Sequence, residues 1–352
     1  MKPFISLIAT GGTVSEVRDA RDLAAVDPTV GAEQLLEGLP WSAAMPDIRS
    51  VNLPFTRSDD ITVSDIVGLA AVVTKEIDQG ARGVVVTRGT DTLEETAFGL
   101  DLLVARDPPV VVTGAMRPHE DLGADGRANL LSALRVAADP AAHGVGTVVV
   151  LNDDIHAARF VQKSHTSSLE SFQSRTGGSI GWLTEGRVRI ASRPTPQRRI
   201  TVSEQNVPLV AIAKMFVGCD GRVIEAFASL GCEGLVVEGF GGGHVPASVV
   251  ESLGRLSDAL PVVISTRVPR GEGLQSTYGS SGDEVDLRAR GLLPAGILSS
   301  AKSHLLLCLL LMSGNSDDVL KETFEDIASG CPGQTARSRF EDPDRAVDPP
   351  TR

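Results

Sequence analysis

The stretch Arg82-Gly83-Val84-Val85-Val86-Thr87-Arg88-Gly89-Thr90-Asp91-Thr92-Leu93-Glu94-Glu95-Thr96-Ala97-Phe98-Gly99-Leu100-Asp101-Leu102-Leu103 holds a strand, a glycine turn and a helix in succession. Residues 82 to 87 are a short valine-rich run of the kind that forms a buried strand. From Thr92 to Leu103 the apolar residues recur at helical spacing, with Glu94 and Glu95 in the first turn, where the helix dipole favours anions. The turn between them therefore offers the Thr90 hydroxyl, the Asp91 carboxylate and the free N–H groups that open a helix. Such a turn can bind an anion or a developing oxyanion; it can equally be an ordinary cap, with Glu94 completing a capping-box-like pattern. A second turn of the same kind, Ile8-Ala9-Thr10-Gly11-Gly12-Thr13, follows the apolar run 4 to 9. Ligands of open α/β sheets collect outside the carboxyl ends of the strands, so Thr13 and Thr90 are expected to face one crevice as candidate nucleophiles.

Outward from this unit the alternation continues, and it predicts an α/β fold. Core strands are expected near 4 to 9, 82 to 87, 109 to 113 and 145 to 151, and helices at 63 to 79 and 126 to 138. Short Val/Ile runs separated by longer amphipathic segments are the pattern of a mostly parallel, Rossmann-like sheet with helices on its faces. Pieces 179 to 183 and 187 to 191, around Thr184-Glu185-Gly186, read as a hairpin that closes an N-terminal domain of residues 1 to 191. Residues 192 to 207 begin with the polar, proline-containing Ser192-Arg193-Pro194-Thr195-Pro196 and have the character of a linker. A smaller C-terminal α/β domain over 208 to 331 is expected to hold strands at 208 to 213, 234 to 237 and 261 to 265, and helices near 221 to 229, 246 to 258 and 299 to 313. The tail 332 to 352 is polar and proline-containing and reads as disordered.

Composition narrows the function. The chain has 352 residues, 42% hydrophobic and 22% charged, and a formal charge of −12 without any Lys/Arg block, which argues against a nucleic-acid partner. The apolar run Leu305 to Met312 is far below the roughly 20 residues of a membrane span and reads as a buried helix. Four cysteines, Cys219, Cys232, Cys308 and Cys331, lack C-x-x-C spacing and read as reduced thiols. A cleaved leader would remove the Thr13 turn, so the apolar start reads as a strand and the location as cytoplasmic. None of the six histidines forms a metal-ligand pair, and the glycine run Gly239 to Gly243 lacks dinucleotide-binding spacing. No metal and no cofactor are expected.

Threonine is a weak nucleophile at neutral pH and needs a partner to take its proton. Lys163, after the 145 to 151 strand on the same side of the sheet, is a candidate, although lysine acts as a base only where burial or neighbouring cations lower its pKa. Motif comparison goes further than spacing here. Thr10-Gly11-Gly12-Thr13-Val14-Ser15 and Gly89 through Ala97 resemble the T-G-G-T-I-A and G-T-D-T-L-E-E-T-A signatures of the bacterial-type L-asparaginase family. Val112-Thr113-Gly114-Ala115-Met116-Arg117-Pro118, Asp125-Gly126-Arg127-Ala128-Asn129-Leu130 and Val150-Leu151-Asn152-Asp153 agree as well, and the resemblance runs from about residue 4 to 328.

The resemblance implies an amidohydrolase that converts L-asparagine to L-aspartate and ammonia through an acyl-enzyme on Thr13. Thr90, Asp91 and Lys163 match the family's second triad, and the N–H groups of Thr90 and Ala115 its oxyanion hole. Ser58 and Asp91 match the positions that hold the substrate's α-carboxylate and α-amino groups, with Asp59 and Gly89 beside them. Glu284, in Asp283-Glu284-Val285-Asp286, matches an acidic residue that reaches the site from a neighbouring subunit. A homotetramer built as a dimer of dimers is implied.

Three departures stand out. Residues 14 to 40 lack the tyrosine that this family carries in its mobile loop, and the chain's single tyrosine is Tyr278. Tyr278 is therefore expected to supply the phenol. Asp59 stands where many secreted members carry glutamine. Gly242, in Gly239-Phe240-Gly241-Gly242-Gly243-His244, stands where members with G-x-G-N-G-N carry an asparagine that orients the acidic residue. The alternatives left open are a mixed asparaginase-glutaminase, a catalytically weak aspartate- or asparagine-binding homologue, and the glutamine-hydrolysing subunit of a tRNA-dependent amidotransferase. The last is disfavoured by the missing basic patch.

Overall fold

The computed structural model describes residues 3–12, 16–19, 22–28, 31–41, 45–105, 107–119, 121–174, 176–203 and 206–331. Thr13, Val14, Ser15 and the tail 332–352 lie outside the described residues.

Among the described residues the N-terminal half runs β1 (Phe4–Ala9), β2 (Glu16–Asp19), β3 (Asp22–Pro28), α1 (Ala32–Leu36), β4 (Asp47–Asn52), α2 (Val63–Asp78), β5 (Ala81–Thr87), α3 (Leu93–Leu103), β6 (Val110–Thr113), α4 (Gly126–Ala138) and β7 (Thr147–Leu151). It continues with β8 (Asp154–Ala157), β9 (Val161–Lys163), β10 (Phe172–Ser174), β11 (Gly181–Thr184) and β12 (Arg187–Ile190). The main sheet has the order β12-β11-β8-β7-β6-β5-β1-β4. Strands β4, β1, β5, β6 and β7 are parallel, and β8, β11 and β12 extend the sheet antiparallel. The inner parallel strands β1, β5, β6 and β7 are buried on both faces, which is why they read as apolar, Val/Ile-rich runs.

The chain turns from β1 to β4 on one side and then returns through α2 to β5 on the other. The switch point therefore lies between β1 and β5, where a crevice opens at the carboxyl ends of the strands. Register brings the turns to one level: Ala9 pairs with Thr87 and Thr87 with Thr113. Asn152 and Asp153, both at positive φ, make the tight turn that folds β8 back on β7.

The second unit has β13 (Val210–Lys214), α5 (Gly221–Ser229), β14 (Gly234–Gly239), α6 (Ala247–Ser257), β15 (Val262–Thr266), α7 (Glu284–Ala289), β16 (Leu293–Pro294), α8 (Ser300–Leu311) and α9 (Asp317–Ala328). Its strands form a parallel sheet in the order β13-β14-β15-β16. Alternate residues face opposite layers: Leu235 and Val237 pack with Ile224, Val249 and Leu253 of α5 and α6, while Val236 packs with α8 and Phe324 of α9. The Leu-rich run is the buried helix α8, apolar all round because the sheet, α9 and α3 enclose it. Phe98 and Leu102 of α3 belong to the same core, so the two units share one hydrophobic seam. Ile200 docks there too: it is buried, and its N–H donates to the Leu102 carbonyl at 2.9 Å. No helix among the described residues is long and apolar enough to cross a membrane.

Candidate active site

The turn after β5 does not behave as a helix cap. The α3 N-cap is Thr92, and its side chain makes no capping hydrogen bond; its hydroxyl donates instead to the Ser58 carbonyl at 2.7 Å. Lys163, at the end of β9, donates from Nζ to Thr90 Oγ1 at 3.0 Å and to Asp91 Oδ1 at 2.7 Å. Asp91 Oδ2 accepts from Ser58 Oγ at 3.3 Å. The Lys163 N–H in turn donates to Glu94 Oε2 at 2.5 Å, so this carboxylate fixes the lysine's backbone across 69 residues of chain. Thr90 is buried, while the Asp91 side chain keeps 62% exposure and faces the open side of the cluster.

The T-G-G-T turn lies directly against this cluster. A Cβ on Gly12, whose φ is +94°, would stand 2.4 Å from the Gly89 nitrogen and 2.6 Å from its Cα. A Cβ on Gly89 would lie 2.6 Å from Ser58 Cβ. Only hydrogen fits at these two places, which accounts for glycines where the turns meet. Ala115, from the turn after β6, is buried, and a Cβ on the preceding Gly114 would stand 3.5 Å from Thr90 Cγ2. That turn is held by Asp125, whose carboxylate accepts from the N–H groups of Met116 at 3.0 Å and Arg117 at 3.0 Å. Asn129 adds a 3.0 Å bond to the Gly114 carbonyl. The N–H groups of Thr90 and Ala115 donate to no partner among the described residues, as oxyanion donors require.

Three sequence candidates fall elsewhere in this chain. Asp59 is exposed and pairs with Arg57 at 3.0 and 2.8 Å instead of joining the Asp91–Lys163 set; that bond holds its carboxyl below the ordinary range. Glu284 and Tyr278 sit together in the C-terminal unit. Glu284 Oε1 accepts from the N–H groups of Thr277 and Tyr278, both at 2.6 Å, and its Oε2 lies 2.8 Å from His244 Nε2. The half-exposed Tyr278 ring meets the His244 ring edge-on, 5.5 Å between centroids. The bonds of Glu94 to Lys163 and of His244 to Glu284 are not legible in the sequence, because the partners are distant in the chain. His165 is a loop residue whose Nδ1 accepts from the N–H groups of Ser167 and Ser168.

Beside the cluster, Glu95 is pushed up to about 7 by burial and by the neighbouring Glu94 carboxylate. Lys302 is fully buried beneath it, which depresses its pKa, with Glu94, Glu95 and Asp101 pulling the other way.

Comparison with known proteins agrees with this geometry. The family model "Asparaginase, N-terminal" matches residues 4–196, and "Glutaminase/Asparaginase C-terminal domain" matches residues 209–324. The chain is 34% identical to an L-asparaginase of Bacillus licheniformis, covering 89% of this chain and 97% of the relative. It is 32% identical to L-asparaginase 2 of Escherichia coli over 92% of each, and 31% identical to a probable periplasmic L-asparaginase of Haemophilus influenzae over 92% and 93%. The crystal structure of a probable cytoplasmic L-asparaginase from Campylobacter jejuni superposes with a TM-score of 0.80 at 29% identity, covering 92% of this chain and 99% of that one.

Proposed function

The chain belongs to the asparaginase family, and from that premise we propose that it hydrolyses the side-chain amide of L-asparagine to L-aspartate and ammonia. The observation that carries the reading is Lys163 Nζ bridging Thr90 Oγ1 and Asp91 Oδ1 beside a backbone contact between the two threonine turns.

In this mechanism the Thr13 hydroxyl attacks the carbonyl carbon of the side-chain amide. The developing oxyanion is met by the N–H groups of Thr90 and Ala115, where losing one such donor costs about 10²- to 10³-fold in rate. The proton given up by Thr13 passes to the nitrogen as the carbon–nitrogen bond breaks, so ammonia leaves, and a water then adds to the Thr13 ester to release aspartate and restore the hydroxyl. Lys163, itself held by Asp91 and by Glu94, orients Thr90 toward the scissile amide. Ser58, Gly89 and Asp91 grip the substrate's α-groups. Glu284 of a neighbouring subunit completes the ammonium site, in a homotetramer made as a dimer of dimers. Tyr278 of that subunit is assigned the phenol that the loop after Thr13 lacks. A cytoplasmic location is part of the proposal, supported by the likeness to the probable cytoplasmic L-asparaginase of Campylobacter jejuni.

Ammonia release from asparagine, compared in wild type, Thr13→Ala and Thr90→Val, tests the assignment. Loss of turnover in both variants is expected. A wild type that binds aspartate but releases no ammonia would make the protein a binding homologue. The same assay with glutamine measures discrimination, because one methylene is worth only about 1 to 3 kcal/mol in a pocket.

A further inference from the structure

Arg88 has no part in the mechanism, yet it stands between β5 and Gly89, where the two threonine turns meet. Its N–H donates to the Thr113 carbonyl at 2.8 Å, and its Nη1 to Thr10 Oγ1 at 3.3 Å. Thr10 Oγ1 itself donates to the Thr87 carbonyl at 2.7 Å. Arg88 is 5% exposed, and its other two nitrogens, Nε and Nη2, are closed to bulk solvent and have no hydrogen-bond partner among the described residues. A guanidinium stays charged in proteins, and a buried charge without a partner is costly. Burial lowers its pKa and the Asp65 charge pulls the other way, but Asp65 is not bonded to it: Asp65 Oδ2 accepts from the N–H and the hydroxyl of Thr62, both at 2.7 Å.

Arg88 forms part of the wall of a cavity of about 340 Å³ between α2 and the segment that leads to it from β4. The cavity is separate from the proposed active site, since Ser58, Thr90, Asp91 and Lys163 take no part in its wall. Leu53, Ile61, Leu69 and Val72 make much of that wall apolar, and Thr96 adds a buried hydroxyl that is likewise without a partner. Ser64 and Gly68 of α2 are wall residues exposed to solvent, so the cavity opens to the surface. Cavities of this size hold small organic ligands, gripped by an apolar wall and a few placed polar groups. The free edge of the guanidinium, Nε with Nη2, is the side of the fork that receives a carboxylate through two parallel hydrogen bonds. Phosphate fits less well, because its further oxygens and second charge would face aliphatic wall and the Asp65 carboxylate.

We propose that this cavity is a second ligand site, in which Arg88 binds the carboxylate of a small aliphatic monocarboxylate and the apolar wall takes its hydrocarbon body. The ligand brings the counter-charge that the fold leaves out. Its two oxygens occupy the Nε–Nη2 edge, while Nη1 keeps its bond to Thr10. Binding there requires no turnover, so it is measurable whether or not asparagine is hydrolysed.

The test is calorimetric titration of the full-length protein with sodium 3-methylbutanoate, with 3-methylbutanamide and inorganic phosphate as comparison ligands. Wild type is expected to bind the carboxylate with a Kd on the order of 1 mM, an ordinary affinity for so small a ligand. The amide keeps the shape and loses the charge; it and phosphate should each bind at least about tenfold more weakly. R88M removes the fork and R88K leaves only a point charge, and each should raise Kd about tenfold or more. S58A, altered in the proposed active site, should leave Kd within about threefold of wild type. Absence of binding by wild type up to about 20 mM overturns the site. So does an R88M Kd equal to that of wild type, and so does a Kd raised in S58A but not in R88M, which would put the carboxylate in the active site. Phosphate or the amide binding as tightly as 3-methylbutanoate overturns the assignment of a carboxylate. Should R88M fail to fold, R88K decides, and an unchanged Kd there overturns the role of Arg88.

Discussion

Gly12 and Gly89 touch backbone to backbone: a methyl group on Gly12 would lie 2.4 Å from the Gly89 nitrogen. Two turns 77 residues apart in the chain are brought together because β1 and β5 are parallel neighbours in register, Ala9 beside Thr87. Gly12→Ala has a steric fault and a backbone fault, since φ at this position is +94°. The Gly89 side cannot retreat, because Ser58 fills the space behind it. The variant is expected to fold with a stability loss on the order of 1 to 3 kcal/mol and to lose at least about 100-fold in kcat/KM, as misplacement of reacting groups by an ångström does. Thermal melting and ammonia release together check this.

Lys163→Met removes the amine that links Thr90 and Asp91 while preserving much of the side chain's bulk. Losing the group that positions a reacting hydroxyl costs about 100-fold, and a loss of kcat of that order is expected. Glu94→Ala should cost less, about tenfold, because it frees the Lys163 backbone N–H without deleting the amine. A Lys163→Met enzyme with wild-type kcat would remove the second triad from the mechanism.

What the sequence made legible follows from local physics. Buried parallel strands must be apolar on both faces, so β1, β5, β6, β7, β14 and β15 stood out as Val/Ile runs. Edge and outer elements did not. The half-exposed edge strand β4 reads Asp-Ile-Arg-Ser-Val-Asn, and the three-residue β9 reads Val-Gln-Lys; both look like loop in isolation. The antiparallel extension through β8 depends on positive φ at Asn152 and Asp153, a hairpin signal hidden in a motif valued for other reasons. Helix α9 is acidic and amphipathic and was obscured by the polar tail after it. At the site, Glu94 had a complete local explanation as a cap, and only the fold shows it bonded to the Lys163 backbone. His244 had a signal beside it: a glycine where an orienting side chain was expected.

Glu95 gives the chain a pH-dependent stability term. Its folded pKa of about 7 lies above the unfolded value of 4.5, so its contribution is fully present below pH 4.5 and is lost as pH rises through 7. His156 acts in the opposite direction. Burial lowers it from 6.5 to about 4, so its contribution is present above pH 6.5 and lost as pH falls through 4. The comparison of Glu95→Gln with wild type cancels the histidine. Relative to wild type, the variant should gain stability from pH 4.5 to about 7 and level off above it, by an amount on the order of 3 kcal/mol for the whole shift. Denaturant unfolding at several pH values measures the difference; a difference that does not change with pH would mean that Glu95 is solvated in solution.

Lys302 is a buried cation with a structural task. It is 1% exposed, and its Nζ donates to the carbonyls of Ala158 at 2.9 Å, Arg159 at 3.3 Å and Val161 at 2.5 Å. Those carbonyls belong to the segment that leads from β8 into β9 and so to Lys163, while Lys302 itself stands on α8 of the C-terminal unit. Lys302→Met keeps much of the side chain's length and removes every donor, leaving buried carbonyls unpaired and taking a cation away from Glu94, Glu95 and Asp101, of which Asp101 keeps its 3.5 Å pair with Arg159. Breaking a buried charged network from one side costs about 3 to 5 kcal/mol, and a loss of unfolding free energy of that size is expected in denaturant unfolding. The Glu95 pKa should rise further, because the attraction that partly offsets its burial is gone. Amide exchange over residues 158 to 163 should accelerate more than in β14, and kcat should fall with it. A variant as stable and as active as wild type, with unchanged exchange in that segment, would show that the C-terminal unit does not support Lys163.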